Sequence, residues 1–181
     1  MIVSLEWLKD YTDINVSPEE FCDKMIMSGS NLETMEHVGC DMEKVVVGKI
    51  LKIEKHPDAD KLVVCQVDVG NDQPVQIVTG APNVFEGAYV PVALDGSRIP
   101  GPLHGQPKKE GGEIIKAGKL RGVESCGMLC SFGELGFQGK VVPVNQRDGI
   151  WILNGEYPVG MDFAEALQLE DYIVDFEITP N

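Results

Sequence analysis

A short segment near residue 56 holds the residue types that acid–base catalysis or metal binding would use. His56 is followed by Asp58 and Asp60, and a nearby carboxylate can orient an imidazole as a base. No serine or cysteine nucleophile stands beside it. Pro57 fixes a backbone angle, and an Asp side chain can hydrogen-bond within its own turn. The segment therefore favours a turn over a catalytic or metal site, and Lys61 at its end can reach a phosphate or close a salt bridge.

The five cysteines form no recognisable zinc-binding or disulfide pattern. Cys126 and Cys130 stand four apart, whereas the usual zinc templates require CxxC pairs or a matching His pair. The three histidines are scattered and supply no such pair. We therefore expect buried thiols that stay reduced in a cytosolic protein, with no metal site and no cofactor of the chain's own.

The charged residues are distributed unevenly along the chain. The net charge of −14 argues against a protein that grips nucleic acid with its whole surface. Residues 1–40 carry −6 and residues 151–181 carry −7, whereas residues 98–121 carry +4. The cations of this basic strip are Arg98, Lys108, Lys109, Lys116, Lys119 and Arg121. We expect a solvated loop at the adjacent lysines 108 and 109, and phosphate contact at the last three cations.

Acidic ends around a nearly neutral centre predict that the ends form one unit and that residues 41–150 are inserted between them. The ends favour helices: Ser17, Pro18 and Glu20 form a capping box with proline at the first helical position, and Asp162 caps a later helix. The centre has strand-like runs separated by glycine and proline, which favours a small barrel and shows no βαβ rhythm. Strands are predicted at 45–53, 62–69, 75–78, 89–94, 114–115, 128–129 and 172–178. The last of these reaches the end of the chain without a natural closure, so we expect a longer protein.

Three segments of the centre together resemble the tRNA-binding domain shared by several aminoacyl-tRNA synthetases and free-standing tRNA-binding proteins. They are HPDADKL at 56–62, QIVTGAPN at 76–83 and LRGVESCGMLCS at 120–131. The resemblance implies a five-stranded OB-type barrel over about residues 41–150 that binds tRNA by shape more than by sequence. It also implies that Ser125 faces the binding groove. Asn83 has two equal interpretations: a donor to a sugar or phosphate oxygen, or an Asx-type turn stabiliser.

The two ends resemble the beta subunits of bacterial phenylalanine–tRNA ligases, through VSLEWLKDY at 3–11 and EITPN at 177–181. The resemblance implies a mostly β chain with α+β flanks, in which 1–40 and 151–181 form a discontinuous domain interrupted by the barrel. It implies a non-catalytic part of the subunit that binds and positions tRNA and supports assembly. Phenylalanine activation with ATP and magnesium then belongs to the alpha subunit, and editing lies further along the beta subunit. The expected partners are tRNA and alpha subunits, in a cytoplasmic heterotetramer of two alpha and two beta chains without a membrane.

Two other functions remain open at this point. One is a free-standing tRNA-binding or chaperone-like homodimer built on the same barrel, which the mass of the native gene product distinguishes from a ligase subunit. The other is a protein-interaction segment whose barrel has no RNA role. Both the ligase-subunit interpretation and the free-standing tRNA-binding interpretation predict tRNA contacts. The residues expected to make them are Lys61, Asn83, Lys116, Lys119, Arg121 and Ser125.

The small number of candidate cations predicts weak, moderately salt-dependent tRNA binding. With three or four phosphate contacts, the slope of log affinity against log salt should be about −2 to −4, and the Kd should be roughly 10⁻⁴ to 10⁻⁶ M. Titrating labelled tRNA into the chain at two salt concentrations measures both quantities. Nanomolar or salt-independent binding would contradict the prediction.

Overall fold

The computed structural model describes residues 1–103, 105–107, 109–137 and 141–177, and it is mostly β with three short helices. Lys108 of the basic strip and the last four residues, 178–181, lie outside the described residues. Within the described ranges, no helix is both long and apolar enough to cross a bilayer. The chain divides into a smaller unit, residues 1–40 with 168–181, and a larger unit, residues 41–167.

The smaller unit is a three-stranded antiparallel sheet with two helices. Its elements are β1 (Ile2–Ser4), α1 (Leu5–Lys9), α2 (Pro18–Met27), β2 (Asn31–Val38) and β11 (Asp171–Glu177), with the strands in the order β1-β11-β2. Ser4 and Ser17 cap the helices, since their hydroxyls accept from the amides of Trp7 and Glu20 at 2.9 and 3.2 Å. The cap at Ser17 was predicted from the sequence. Strand β2 was not predicted.

The core of the smaller unit joins the two ends of the chain. Leu5 and Cys22 from the amino-terminal helices pack on Val174 and Phe176 of β11, and all four are nearly fully buried. Val174 and Phe176 are buried while the residue between them is not, as expected for a strand with one covered face. The segment at residues 172–177 is therefore a strand, as its alternating pattern indicates.

The larger unit is built on one six-stranded antiparallel sheet and a separate hairpin. Its elements are β3 (Glu43–Lys55), β4 (Val63–Asp68), β5 (Val75–Thr79), β6 (Tyr89–Ile99), β7 (Glu113–Ile114), β8 (Gly118–Leu120), β9 (Val123–Ser125), β10 (Gly127–Leu129), a 3-10 helix (Val144–Gln146) and α3 (Phe163–Ala166). The main sheet has the order β10-β6-β3-β4-β5, with β7 added on β6. Among the described strands, β8 and β9 pair with each other and with no other strand.

The main sheet is open along the described strands. Its edge strands β5 and β10 lie side by side without forming a ladder. One backbone hydrogen bond joins the two edges, from the amide of Cys126 to the carbonyl of Gln76 at 2.8 Å. The expectation of a β-rich centre is thus confirmed, whereas closure into a five-stranded barrel remains a prediction.

The core of the larger unit lies on the inner face of this sheet. Ile50, Val67 and Val92 are fully buried there, together with the thiol of Cys65. Burial raises the pKa of the Cys65 thiol to about 11, so this side chain is neutral at physiological pH. The sheet also passes very close to itself at Gly48, where a Cβ would lie 2.5 Å from Cγ2 of Val92.

Residues 151–167 pack with the larger unit, whereas the sequence assigned them to the acidic flanks. Their amides bond to backbone carbonyls in or next to its strands: Trp151 donates to Cys130, Leu153 to Tyr89, and Gly160 to Val47, at 2.9, 2.9 and 2.8 Å. These partners are distant in sequence, which is why charge alone placed the boundary at residue 150. The structural division falls after residue 167.

The close approach at Gly48 predicts a stability effect. Gly48→Ala places a methyl group against buried Val92 and Val67, and overpacking of this kind costs about 1–3 kcal/mol. Gly118→Ala is the matched control, because a Cβ there meets nothing within 4 Å and the effect should stay within about 0.5 kcal/mol. Urea unfolding measures both variants, and equal stabilities would refute the predicted clash.

Candidate nucleic-acid interface

The first motif forms a turn between β3 and β4 that is held by His56. The His56 side chain is 5% exposed, and its Nδ1 accepts from the amide of Asp58 at 3.1 Å. Its Nε2 lies 3.1 Å from the carbonyl oxygen of Leu120, which requires the proton on Nε2. Both ring nitrogens therefore hold the backbone together. Lys61 is exposed in this turn.

The third motif begins with the β8–β9 hairpin. Its strands are joined by the two-residue loop Arg121-Gly122, and both loop residues have positive φ angles, 48° and 87°. Left-handed conformations at both positions are typical of a type I′ turn, whose twist matches that of the two strands of a hairpin. Lys119 stands opposite Glu124 in the pairing, so these two side chains share a face of the hairpin.

Hydrogen bonds to β5 fix the second arm of the hairpin. The side-chain amide of Gln76 donates to the carbonyl of Glu124 at 2.8 Å. The Ser125 hydroxyl accepts from the amide of Val78 at 3.1 Å and donates to the carbonyl of Gly127 at 2.9 Å. Ser125 is 4% exposed. Its hydroxyl thus ties β5, β9 and β10 together.

A groove of about 290 Å³ lies between the hairpin and the neighbouring strands. We call it the basic groove and define it by the lining residues Ile114, Lys116, Lys119, Leu120, Ser125 and Met128. Lys116 and Lys119 are exposed, whereas Ser125 lies deep in the structure. The structure thus brings three of the six predicted contact residues to one concave surface.

The cations of the basic strip fall into two groups. Arg98 and Lys109 are paired with carboxylates, Glu43 at 3.4 Å and the buried Glu113 at 2.7 Å. In contrast, no carboxylate of the described residues lies within ion-pair distance of Lys116, Lys119 or Arg121. These three cations remain available to an anionic ligand.

Two predicted contact residues lie near the basic groove without lining it. Arg121 occupies the hairpin loop, two residues from Lys119. Lys61 occupies the turn that His56 links to Leu120 at the end of β8. Both side chains are exposed, so the basic groove has further cations in the adjacent turns.

Asn83 is engaged by the protein's own backbone. Its Oδ1 accepts from the amide of Ile150 at 3.0 Å, and its Nδ2 donates to the carbonyl of Ile150 at 2.8 Å. A Cβ at Gly149 would come within 2.1 Å of that Oδ1, so the approach is close. Asn83 thus joins two segments 67 residues apart, a role that neither interpretation of the sequence included.

No sequence pattern indicated the apolar part of the basic groove. Ile114 and Leu120 are 47% and 45% exposed and line the same surface as the two lysines. Isolated exposed aliphatic residues are common on protein surfaces, and only the fold shows that these two share one groove. Among the described residues, no cluster of three or more metal-ligating side chains occurs.

Cys130 lies in the interior of the larger unit, next to the third motif. It is fully buried, and desolvation, with the nearby Glu134 carboxylate, raises the pKa of its thiol far above the ordinary value. A thiol in this state is a poor nucleophile and a poor metal ligand. Cys130 therefore acts as a small packing residue.

Residues 45–160 match the model of a protein family described as "Putative tRNA binding domain". The match covers more than half of the chain and contains every lining residue of the basic groove. The chain belongs to this family. The matched segment thus includes Lys116, Lys119, Ser125 and the β8–β9 hairpin.

The whole chain is also similar to phenylalanine–tRNA ligase beta subunits. All 181 residues align with the proteins of Clostridium acetobutylicum, Clostridium tetani and Staphylococcus haemolyticus, at 46%, 45% and 44% identity. In each case the chain spans 21% of the relative's length. The similarity extends over the smaller unit, which lies outside the match to the tRNA-binding domain.

The paired hydrogen bonds of Asn83 predict a loss of stability on substitution. Asn83→Ala leaves the amide and carbonyl of Ile150 without these partners, at a cost of about 1–3 kcal/mol. Asn31→Ala is a matched control, because Asn31 makes one long bond of 3.4 Å to the exposed Glu177. Thermal unfolding of both variants is the measurement. A larger effect at Asn31 than at Asn83 would contradict the assignment.

Proposed function

We propose that this chain is a non-catalytic part of a phenylalanine–tRNA ligase beta subunit and that it binds and positions tRNA through the basic groove. The observation that carries the proposal is the presence of two lysines in one groove that have no ion-pair partner among the described residues, inside the segment that matches the tRNA-binding domain. Phosphate oxygens supply most contacts in protein–nucleic acid interfaces, and exposed lysines without carboxylate partners suit them.

The proposal assigns different roles to the six candidate residues. Lys116 and Lys119 contact phosphates in the groove, and Lys61 and Arg121 extend the positive surface from the adjacent turns. Ser125 shapes the groove, since its hydroxyl is engaged by Val78 and Gly127. Asn83 acts at a distance by holding the segment at Ile150.

We also propose that the main sheet is of the OB type. The order β10-β6-β3-β4-β5 and the bond between Cys126 and Gln76 support a curved sheet whose two edges approach each other. Small sheets of this type commonly bind nucleic acids on one face and its flanking loops. The β3–β4 turn with Lys61 and the groove beside β10 are such elements. In this scheme, the larger unit, residues 41–167, is an insertion in a discontinuous α+β domain formed by the two ends of the chain.

The smaller unit is proposed to bind protein. It carries two cations against twelve acidic residues, so it repels phosphate. Trp7 on α1 and Tyr11 just after it are 57% and 71% exposed and form an edge-to-face pair. Aromatic side chains in acidic surroundings suit a basic protein surface, because they offer both charge and cation–π contact. The ligase alpha subunit is the proposed partner.

The remaining assignments follow from the proposed parent protein. It is a cytoplasmic ligase for protein biosynthesis, assembled from two alpha and two beta chains. Its alpha subunit activates phenylalanine with ATP and magnesium, and this chain contributes no residue to that reaction. Its task is to hold tRNA in place during aminoacylation.

Substituting the two groove lysines tests the proposal. In Lys116→Ala/Lys119→Ala, tRNA affinity should fall about tenfold, because two exposed ion pairs of up to roughly 1 kcal/mol each are lost. The slope of log affinity against log salt should become shallower by about 2. Labelled tRNA titrated into the chain at several salt concentrations gives both values.

The control changes net charge equally at lysines outside the groove. Lys24→Ala/Lys52→Ala removes two exposed lysines that are paired with Glu20 and Glu54. It should retain most of the affinity and the original slope. Equal losses in the two double variants would mean that tRNA responds only to net charge, and the groove assignment would fail.

A further inference from the structure

The basic groove has an apolar part that phosphate binding does not explain. Ile114 and Leu120 come from β7 and β8, expose nearly half of their surface, and line the groove together with Met128. Exposed apolar side chains that share one concave surface commonly mark a binding site. Part of the ligand in this groove should therefore be apolar.

The exposure of Ile114 follows from strand geometry. Its neighbours Glu113 and Ile115 are buried, so alternation along the strand directs Ile114 outward. Leu120 is held in position because its carbonyl oxygen bonds to Nε2 of His56 and its strand pairs with β9. Both apolar side chains thus stand on fixed backbone, as a preformed contact surface requires.

The groove combines apolar side chains with unpaired cations at neighbouring positions. Lys116 lies two residues from Ile114, and Lys119 directly precedes Leu120. A nucleotide has the same two parts, a flat apolar base face and an anionic phosphate. In a duplex the base faces are stacked and hidden, and only an unstacked base can present its face to an aliphatic side chain.

We propose that the basic groove binds a single unpaired nucleotide of the RNA, and this proposal rests on the proposed function. Its base lies against Ile114 and Leu120, and its phosphates contact Lys116 and Lys119. The volume of about 290 Å³ lies just below the usual range of ligand pockets, which suits one nucleotide better than a helical segment. The partner is therefore a loop or a single-stranded end.

Polar readout of the base is limited in this groove. The Ser125 hydroxyl donates its only proton to Gly127 and retains one lone pair. Two aliphatic contacts and two point charges do not distinguish one base from another. Binding should thus depend on the unpaired state of the nucleotide and little on its identity.

A competition experiment separates an unpaired nucleotide from duplex binding. Labelled tRNA bound to the chain is displaced by a single-stranded RNA oligonucleotide or by a duplex with the same number of phosphates. The single strand should compete at least tenfold better. A 2-aminopurine within the single strand should also change its fluorescence on binding, because the base leaves its stacked neighbours. Equal competition by the duplex would overturn the proposal.

Substitution of Leu120 tests the apolar contact itself. Leu120→Ser should weaken single-strand binding about tenfold, since a base stacking contact has an effect of roughly this size. Leu51→Ser is the control, because Leu51 is 49% exposed on β3 and does not line the groove. Circular dichroism and thermal unfolding check that both variants fold.

The outcomes distinguish this proposal from the function on which it rests. If Leu120→Ser binds as well as Leu51→Ser while the groove-lysine variant is weakened, phosphate binding stands and the nucleotide pocket is refuted. If neither tRNA nor the single strand binds the unmodified chain at low salt, both proposals fail. If Leu120→Ser and the lysine variant are both weakened relative to their controls, both proposals are supported.

Discussion

The β8–β9 hairpin has only three residues per strand, and a hairpin of this size is marginal in isolation. Its position depends on hydrogen bonds to the rest of the larger unit: His56 to Leu120, Gln76 to Glu124 and Ser125 to Val78. Every one of these bonds joins the third motif to the first or the second. The three motifs therefore form one connected structure. It holds Lys119 and Leu120 in place, and these two residues line the basic groove together with Ile114 and Lys116.

The two units of the chain differ in net charge. The smaller unit has a net charge of −10, from two cations and twelve acids, while the larger unit has −4 and contains the unpaired cations of the groove. Acidic surface repels phosphate over a distance of about 8 Å at physiological salt, so RNA is disfavoured on the smaller unit. A few positive side chains are enough to select a docking face when the alternative surface is acidic. Selection of this kind requires little affinity.

Local features of the sequence predicted much of the fold, because helix caps and strand alternation act over a few residues. The capping box at Ser17 and the buried alternation of Val174 and Phe176 are examples. What escaped prediction depends on distant partners. Strand β2 carries several exposed polar residues and is a strand because it pairs with β11. Asn83 binds Ile150, 67 residues away, and the segment 151–167 is held by strands far from it in sequence. The lysines of the site were predicted from charge, whereas the apolar side chains beside them became a site only through the fold.

A low affinity of the basic groove for tRNA suits the proposed role of this chain as part of a larger enzyme. The chain spans 21% of the length of its relatives, so the proposed ligase has further segments in which tRNA contacts can lie. Once tRNA is held elsewhere, binding at a second site becomes intramolecular, and an effective concentration in the millimolar range saturates a site whose own Kd is roughly 10⁻⁴ M. Tighter binding here would add little to positioning and would slow product release. The small number of unpaired cations is therefore consistent with a site that aligns RNA and leaves capture and chemistry to the rest of the enzyme.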